Sequence, residues 1–284
     1  MSASDDDFGW FSPADFEIVL RAIAKSPEPD KFVLVGGQSL VGWTLHYNIP
    51  VPPSDYPALT QDVDFVGARK EAEFLAKEIG GIARFATLDD HTPNTAVITW
   101  QPPGAGKKKL LLDFLSGILG VEDADVRRLA VPIQFFGQHP VKILHPLLCL
   151  VSRLVNLHTL AIKRTKNGIT QAKMAVEVAG CYLRELLAKN TPEDEKQAIK
   201  AVHRILDAAA SQAGVYAFIE YGVDPLSAID AKTLEAFVHH PMFAIKDWPK
   251  QLAWVQRERV KGKRQHEARL RLALLRGGSG PHRK

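Results

Sequence analysis

The chain has 284 residues, of which 46% are hydrophobic and 24% charged, and its formal net charge is +4. This balance is typical of globular proteins and argues against intrinsic disorder, collagen and repeat architectures. No run approaches the roughly 20 apolar residues that a membrane span requires, and the first seven residues lack the features of a signal or transit peptide. We therefore expect a soluble, cytoplasmic protein with no membrane partner.

The N-terminal residues predict a helix followed by a strand, turn and helix. Ser12, with Asp15 three residues later, forms a capping signal that predicts a helix over 12–26. A short apolar run predicts a buried strand over 31–35. After a glycine pair, the pattern predicts a helix over 38–47.

The remaining pattern divides the chain into a mixed half and a helical half. A proline-rich surface loop is predicted over 48–60 and a helix over 69–79. Strands are predicted over 62–66, 95–101, 107–115, 133–136 and 141–144; later helices over 147–163, 169–188, 193–212, 213–221, 231–238 and 248–275. The expected fold class is α+β: a mixed sheet with flanking helices over 1–142, a mostly helical domain over 143–276 and a flexible basic tail over 277–284.

Positive charge is concentrated at the C-terminal end. Between residues 257 and 284 there are ten Lys or Arg side chains and only two acidic ones. Such a segment can neutralise nucleic-acid phosphates, or it can be a solvated helix end followed by a flexible tip. Both interpretations stay open at this stage.

A glycine pair marks the junction between the first strand and its following helix, in Gly36-Gly37-Gln38-Ser39. Glycines at such a junction let the backbone approach a ligand closely, and the first turn of the helix offers N–H groups to phosphate. A tight turn without a ligand would show the same pair, so this motif alone is a weak signal.

Three aspartates occupy strand positions that are unusual for charged residues. Asp62 and Asp64 are two residues apart, so their side chains share one face of the strand. Asp113 lies among five apolar residues, where a carboxylate is costly to bury unless it is paired or bound to a metal. If the two strands are neighbours, the three carboxylates form a site suited to Mg²⁺ or Mn²⁺.

Taken in order, these motifs resemble the nucleotidyltransferase superfamily with the polymerase-beta-like palm. Within it, residues 36–40 and 60–65 look most similar to the AbiEii-type toxin nucleotidyltransferases. The resemblance covers about residues 30–175. It implies a nucleotidyltransferase-like mixed sheet with the glycine pair and the acidic residues at one site.

The resemblance also implies a role for each candidate residue. Asp62 and Asp64 would bind the metals, and Asp113 would bind the catalytic metal and help to deprotonate the acceptor hydroxyl. The nucleotide phosphates would be held by Gly36, Gly37, Gln38 and Ser39, together with the basic residues Arg153 and Lys163 of the helix after the sheet.

The implied activity is transfer of a nucleoside monophosphate from an NTP to an acceptor hydroxyl, with Mg²⁺ or Mn²⁺ as cofactor. The acceptor stays open between an RNA 3′ end and a protein side chain. A toxin-antitoxin or phage-defence role, with an antitoxin partner, is implied by the resemblance alone. The alternatives are an inactive module that binds nucleotide or RNA, and a carboxylate-metal nuclease or phosphohydrolase.

Overall fold

The computed structural model describes residues 9, 11–52, 62–87, 89–90, 94–104, 106, 108–135 and 140–277. These residues form a seven-stranded mixed sheet and ten α-helices. The strands are β1 (Val33–Val35), β2 (Val63–Val66), β3 (Ile82–Phe85), β4 (Asn94–Trp100), β5 (Leu110–Leu115), β6 (Val131–Gln134) and β7 (Pro140–Ile143). The mixed sheet and its helices fit the predicted α+β class.

The helices follow the predicted order closely. They are α1 (Pro13–Ala24), α2 (Gly36–His46), α3 (Arg69–Ile79), α4 (Asp123–Leu129), α5 (Pro146–Thr159), α6 (Lys166–Ala188), α7 (Pro192–Ala210), α8 (Gln212–Tyr221), α9 (Ala231–Glu235) and α10 (Trp248–Gly277). Among these strands and α-helices, the edge strand β3 and the short helix α4 were not predicted. The proline-rich loop from residue 53 to 60 and the tail from residue 278 lie outside the described residues.

The predicted capping signal of α1 is present. The Ser12 hydroxyl accepts a hydrogen bond from the Asp15 N–H at 3.2 Å, and the Asp15 carboxylate accepts one from the Ser12 N–H at 2.9 Å. This reciprocal pair satisfies two of the N–H groups that a helix start leaves without helical partners. Lys108, whose Nζ lies 2.9 Å from Asp15 Oδ2, adds an ion pair to the same carboxylate.

The strand order across the sheet is β3-β4-β5-β2-β1-β7-β6. Pairing is parallel between β2 and β5 and between β1 and β7, and antiparallel between the other neighbours. The hairpin predicted from the two strands around the Pro102-Pro103 turn is confirmed as β4 and β5. The parallel pairing of β2 with β5 places the two predicted acidic strands side by side.

An aromatic cluster packs one face of the central strands. Phe32, Phe65 and Phe114 are fully buried, with ring centroids 5.6 to 6.2 Å apart. In β5, side chains alternate between this buried face and a half-buried face, and Asp113 lies on the half-buried one. Asp64 is likewise half-buried between the buried Val63 and Phe65. The two aspartates therefore avoid the apolar core, as strand alternation requires.

The chain divides into two compact units. One comprises residues 1–153 and 165–178, and the other comprises residues 154–164 and 179–284. This differs from the predicted boundary at 142, because the start of α5 and the first half of α6 belong with the sheet. The continuous apolar pattern of these helices contains no linker signal from which that division could be predicted.

In the second unit, a buried carboxylate holds the segment after α9. Glu195 is fully buried on α7 and accepts hydrogen bonds from the backbone N–H groups of His239 and His240 at 2.8 to 3.0 Å. The His240 ring nitrogen Nδ1 lies 3.1 Å from the same carboxylate. Burial opposes ionisation, but these donors outweigh it and hold the pKa of Glu195 below its usual value.

We expect Glu195→Gln to lower the free energy of unfolding by about 2 kcal/mol at pH 7, because hydrogen bonds to a charged acceptor are lost. A carboxylate with a depressed pKa stabilises the fold above its unfolded pKa, and this stabilisation is lost as the pH falls through the folded pKa. Urea unfolding at pH 7 and pH 3 measures the difference, which should shrink at the lower pH. Glu193→Gln, an exposed position on the same helix, is the control; equal losses in both variants would contradict the assignment.

A second buried charge lies on α10. The Arg259 guanidinium is buried, donates from Nη1 to Asp224 Oδ2 at 3.1 Å and from Nη2 to Asp224 Oδ1, and lies 4.1 Å from the centroid of the Phe218 ring. Lysine keeps the charge but cannot reproduce the two-pronged contact or the stacking. We expect Arg259→Lys to cost about 2 kcal/mol of unfolding free energy. Arg257→Lys, at an exposed position one residue before Glu258, should leave the urea midpoint unchanged; a matching shift there would refute the prediction.

Candidate active site

Strand register brings two of the predicted acidic residues together. Asp64 on β2 and Asp113 on β5 are Cα partners across a parallel pair, so they are direct neighbours on the same face of the sheet. Neighbouring strands are about 4.8 Å apart, which leaves the two carboxylates within reach of one cation. Asp62 lies one residue before β2 and is exposed.

The three-carboxylate site is not assembled as a group. Over the ranges that the structure describes, no three His, Cys, Asp or Glu side chains come close enough together to hold a metal ion. Of the three predicted metal ligands, Asp64 and Asp113 are therefore neighbours, whereas Asp62 lies outside β2, one residue before its start.

Asn94 is a site residue that sequence reasoning missed. Its side-chain Nδ2 donates to Asp113 Oδ1 at 3.3 Å. A register irregularity between Asn94 and Ala96 occurs at this end of the β4–β5 pair, and such bulges redirect side chains near functional sites. A single asparagine at a strand start carries no recognisable signal, and only the pairing of β4 with β5 shows its relation to Asp113.

The glycine pair begins α2 directly beside Asp64. Gly36 has a φ of +67°, and a Cβ at this position would lie 2.8 Å from Asp64 Cγ and 3.0 Å from Asp64 Cβ. Only glycine suits both the left-handed backbone and this contact. The Asp64 carboxylate thus lies against the first turn of α2, where the positive end of the helix dipole favours negative charge. The glycine was predicted to permit close approach of a ligand, but in the structure the group that lies against Gly36 is the Asp64 carboxylate.

The side chains after the glycine pair point into the protein. Gln38 and Ser39 are buried, and the Ser39 hydroxyl donates to Gly36 O at 2.9 Å. Its Oγ also lies 3.5 Å from Cys149 Sγ. Because the Ser39 hydroxyl already donates to Gly36 O, a phosphate at this turn would have to be bound by backbone N–H groups, such as that of the half-buried Gly37.

Burial raises the pKa of the Cys149 thiol to about 11, against the weaker opposing effects of Ser39 and Arg153. The thiol is accordingly neutral at physiological pH. It is a buried free thiol beside the site, and its raised pKa makes it unreactive there.

Arg153, on α5, interacts electrostatically with Asp64. Its Nη1 donates to Gln171 Oε1 on α6 at 2.7 Å. Burial lowers the pKa of the Arg153 guanidinium, whereas Cys149 and the negative charge of Asp64 act in the opposite direction. An arginine remains charged even so, and its planar fork can bind phosphate oxygens in pairs. Gln171, which orients this fork, was not predicted from the sequence.

Lys163 does not belong to the same compact unit as the other candidate site residues. It is exposed, ends the 3₁₀ turn Ala161–Lys163 and belongs to the second unit, whereas Asp64, Asp113 and Arg153 belong to the first. The part of the site in the first unit therefore comprises the carboxylates of Asp64 and Asp113, two amides, the Arg153 guanidinium and the start of α2. Such a set can bind a divalent cation and a phosphate next to each other.

No helix among the described residues is both long and apolar enough to cross a membrane. The comparisons identify no relative that would assign the site: no protein-family model matches the chain, and neither a curated protein nor a solved structure resembles it closely enough to count as a match.

Proposed function

We propose that this protein is a metal-dependent nucleotidyltransferase that moves a nucleoside monophosphate from an NTP to an acceptor hydroxyl and releases pyrophosphate. The observation that supports it most is the pairing of Asp64 with Asp113 on neighbouring parallel strands, next to the glycine that begins α2. The proposal includes a nucleotidyltransferase-like fold of the polymerase-beta type, with the AbiEii-type toxins as the most similar group.

The donor set suits Mg²⁺ or Mn²⁺, because aspartate and asparagine offer hard oxygen ligands and the described site contains no thiolate or imidazole pair that would favour zinc. Asp64 and Asp113 would hold the ion, and Asp62, which does not group with them among the described residues, would have to approach them to act as the third ligand. When bound, the cation would neutralise charge on the phosphates and on the attacking oxygen.

The protein's own groups have separable tasks in this proposal. Asp113 would accept the proton of the acceptor hydroxyl, and Asn94, which donates to Asp113 Oδ1, would keep that carboxylate in position. Arg153 would bind phosphate oxygens with its fork held by Gln171. The backbone N–H groups at the start of α2 would add a fixed positive field. Phosphoryl transfer depends mainly on such positioning and charge neutralisation.

The acceptor, the partner and the biological role belong to the same proposal. An RNA 3′ end or a protein side chain can supply the hydroxyl, and a toxin-antitoxin or phage-defence role would add an antitoxin partner. The basic C-terminal helix α10 favours RNA, because its cations can neutralise backbone phosphates.

Product analysis tests the proposal. Purified protein is incubated with each of the four α-³²P-labelled NTPs, Mg²⁺ or Mn²⁺, and either total RNA or cell lysate. We expect label in RNA or in a protein band, with pyrophosphate released in equal amount. RNA shortened without incorporated label would instead indicate the carboxylate-metal nuclease, and bound nucleotide without any product would indicate the inactive module.

A further inference from the structure

A polar cavity lies entirely within the second unit. Its volume is about 380 Å³, and it is bounded by the start of α8, the middle of α10 and the end of α5. The polar and aromatic side chains that line it include His158, Gln212, Tyr216, Lys261, His266 and Arg269. None of them belongs to the predicted metal and nucleotide site, although Lys261 and Arg269 are among the cations of α10.

Close packing of α8 against α10 forms one wall of this cavity. A Cβ at Gly262 would lie 2.5 Å from Val215 Cγ1, so the two helices approach each other more closely than a larger residue would allow. Helix α8 begins beside the cavity at Gln212, and its Ser211 cap accepts from the Gly214 N–H at 3.0 Å. The other N–H groups of that first turn contribute the positive end of the helix dipole.

Basic groups outnumber acidic ones around the cavity. The hydrogen-bonding surroundings assign the carboxamide oxygen of Gln212 to the side of Arg269, and in that orientation it accepts from Nη1 and Nη2 at 3.1 and 3.2 Å. Lys261 Nζ lies 3.4 Å from Glu258 Oε2, the one acidic side chain of the lining. His266 Nε2 lies 2.7 Å from Glu220 Oε1, and Arg164 lies 5.3 Å from the centroid of the Tyr216 ring.

The titration of His158 agrees with a positive environment. Burial lowers the pKa of His158, and the charges of Arg164 and Arg269 lower it further. Its ring packs edge to face against Tyr216 at 5.3 Å between centroids. The cavity thus combines an aromatic wall with cations that repel further positive charge.

We propose that this cavity binds the phosphate group of a small organic phosphate. The Arg269 guanidinium has N–H groups that are not directed at Gln212 and can bind phosphate oxygens, and Lys261 adds a point charge. The first turn of α8 supplies backbone donors of the kind that bind anions at helix starts. The rings of Tyr216 and His158 give the organic part an apolar surface, and the volume falls within the usual range for small-ligand sites.

Free nucleotides and the phosphorylated 5′ end of an RNA both carry this chemistry, so the experiment includes both. Binding of AMP, and of a trinucleotide RNA with either a 5′-phosphate or a 5′-hydroxyl, is measured by calorimetry on the full chain carrying Asp64→Asn and Asp113→Asn. That background suppresses the proposed transfer site, so that failure of this inference is distinguishable from failure of the proposed function. We expect at least a tenfold loss of affinity for the phosphorylated probe in Arg269→Gln and Lys261→Gln, and an intermediate loss in Arg269→Lys.

Arg271→Gln is the matched control, because Arg271 is exposed on the same helix and lies outside the cavity lining. Its affinity should equal that of the background protein, and all variants should share one urea midpoint. If the 5′-phosphorylated trinucleotide binds and AMP does not, the result supports the phosphate site and indicates that its ligand is the 5′ end of an RNA. Equal binding of the 5′-hydroxyl trinucleotide, no binding of either phosphorylated probe, or equal losses in Arg269→Gln and Arg271→Gln, would overturn the proposal.

Discussion

Asp113→Asn is expected to lower nucleotide transfer by at least about 10³-fold. A metal-bound carboxylate contributes several kcal/mol to charge stabilisation, and each 1.4 kcal/mol is a factor of ten in rate. Asparagine is nearly isosteric, but it cannot accept the proton of the acceptor hydroxyl or neutralise a cation. Turnover of labelled NTP at saturating Mg²⁺ measures the effect.

The same substitution should leave the fold intact or stabilise it slightly. Asp113 is half-buried and is the direct neighbour of Asp64, so removal of one negative charge relieves repulsion between like charges. We expect the free energy of unfolding to change by less than about 0.5 kcal/mol, or to rise. A position at which stability improves while activity is lost belongs to a functional site.

Asp207→Asn is the control for Asp113→Asn, because Asp207 is an exposed aspartate on α7 in the other unit. It should retain full transfer activity. Wild-type activity in Asp113→Asn, or a loss of activity only in proportion to a loss of folded protein, would remove Asp113 from the proposed machinery.

Gly36→Ala is expected to have the second large effect, on both stability and activity. Two costs combine at this position. The left-handed backbone disfavours any Cβ by about 1 kcal/mol, and the new methyl group would overlap the Asp64 side chain, which adds roughly 1 to 3 kcal/mol. Because the overlap includes Asp64 Cβ as well as Cγ, a rotation of the carboxylate does not relieve it, and β2 must shift relative to α2.

Gly80→Ala separates these two costs. Gly80 also has a positive φ, of +71°, but a Cβ there meets nothing within 4 Å. It should lower the free energy of unfolding by about 1 kcal/mol without changing transfer activity. Urea unfolding and the labelled-NTP assay on both variants provide the comparison. If Gly36→Ala resembles Gly80→Ala in both measurements, the contact with Asp64 does not constrain the site.

Local patterns predicted most of the secondary structure. The bounds of α3 agree residue for residue with the predicted helix over 69–79, because its apolar spacing is regular and Gly80 stops it. β3 was missed because it is an edge strand whose Ile82 and Arg84 are exposed, so it lacks the usual apolar alternation. The short helix α4 was missed because only Val126 of its seven residues is buried, which leaves no amphipathic period.

The candidate site was predicted in part. Asp64, Asp113 and the glycine pair were identified because carboxylates within strands and glycines at a strand end are locally unusual. Asn94 and Gln171 were not, because each acquires its relation to the site only from a distant element that hydrogen-bonds to it. Ser39 was predicted to hold phosphate, but its hydroxyl points inward and donates to Gly36 O. The sequence gives no sign of this orientation, because it depends on the geometry of the first turn of α2.

The sequence by itself therefore determined the order and type of the main elements and the residues that are chemically out of place in them, since helix and strand periods are local properties. Only the tertiary structure decided that β2 and β5 pair in parallel with Asp64 opposite Asp113, that Gly36 lies against Asp64, and that Lys163 belongs to the other unit. Strand neighbours and register depend on how distant segments share one core. The strand order and register are those that minimise the free energy of the whole chain, so they cannot be predicted from any single segment.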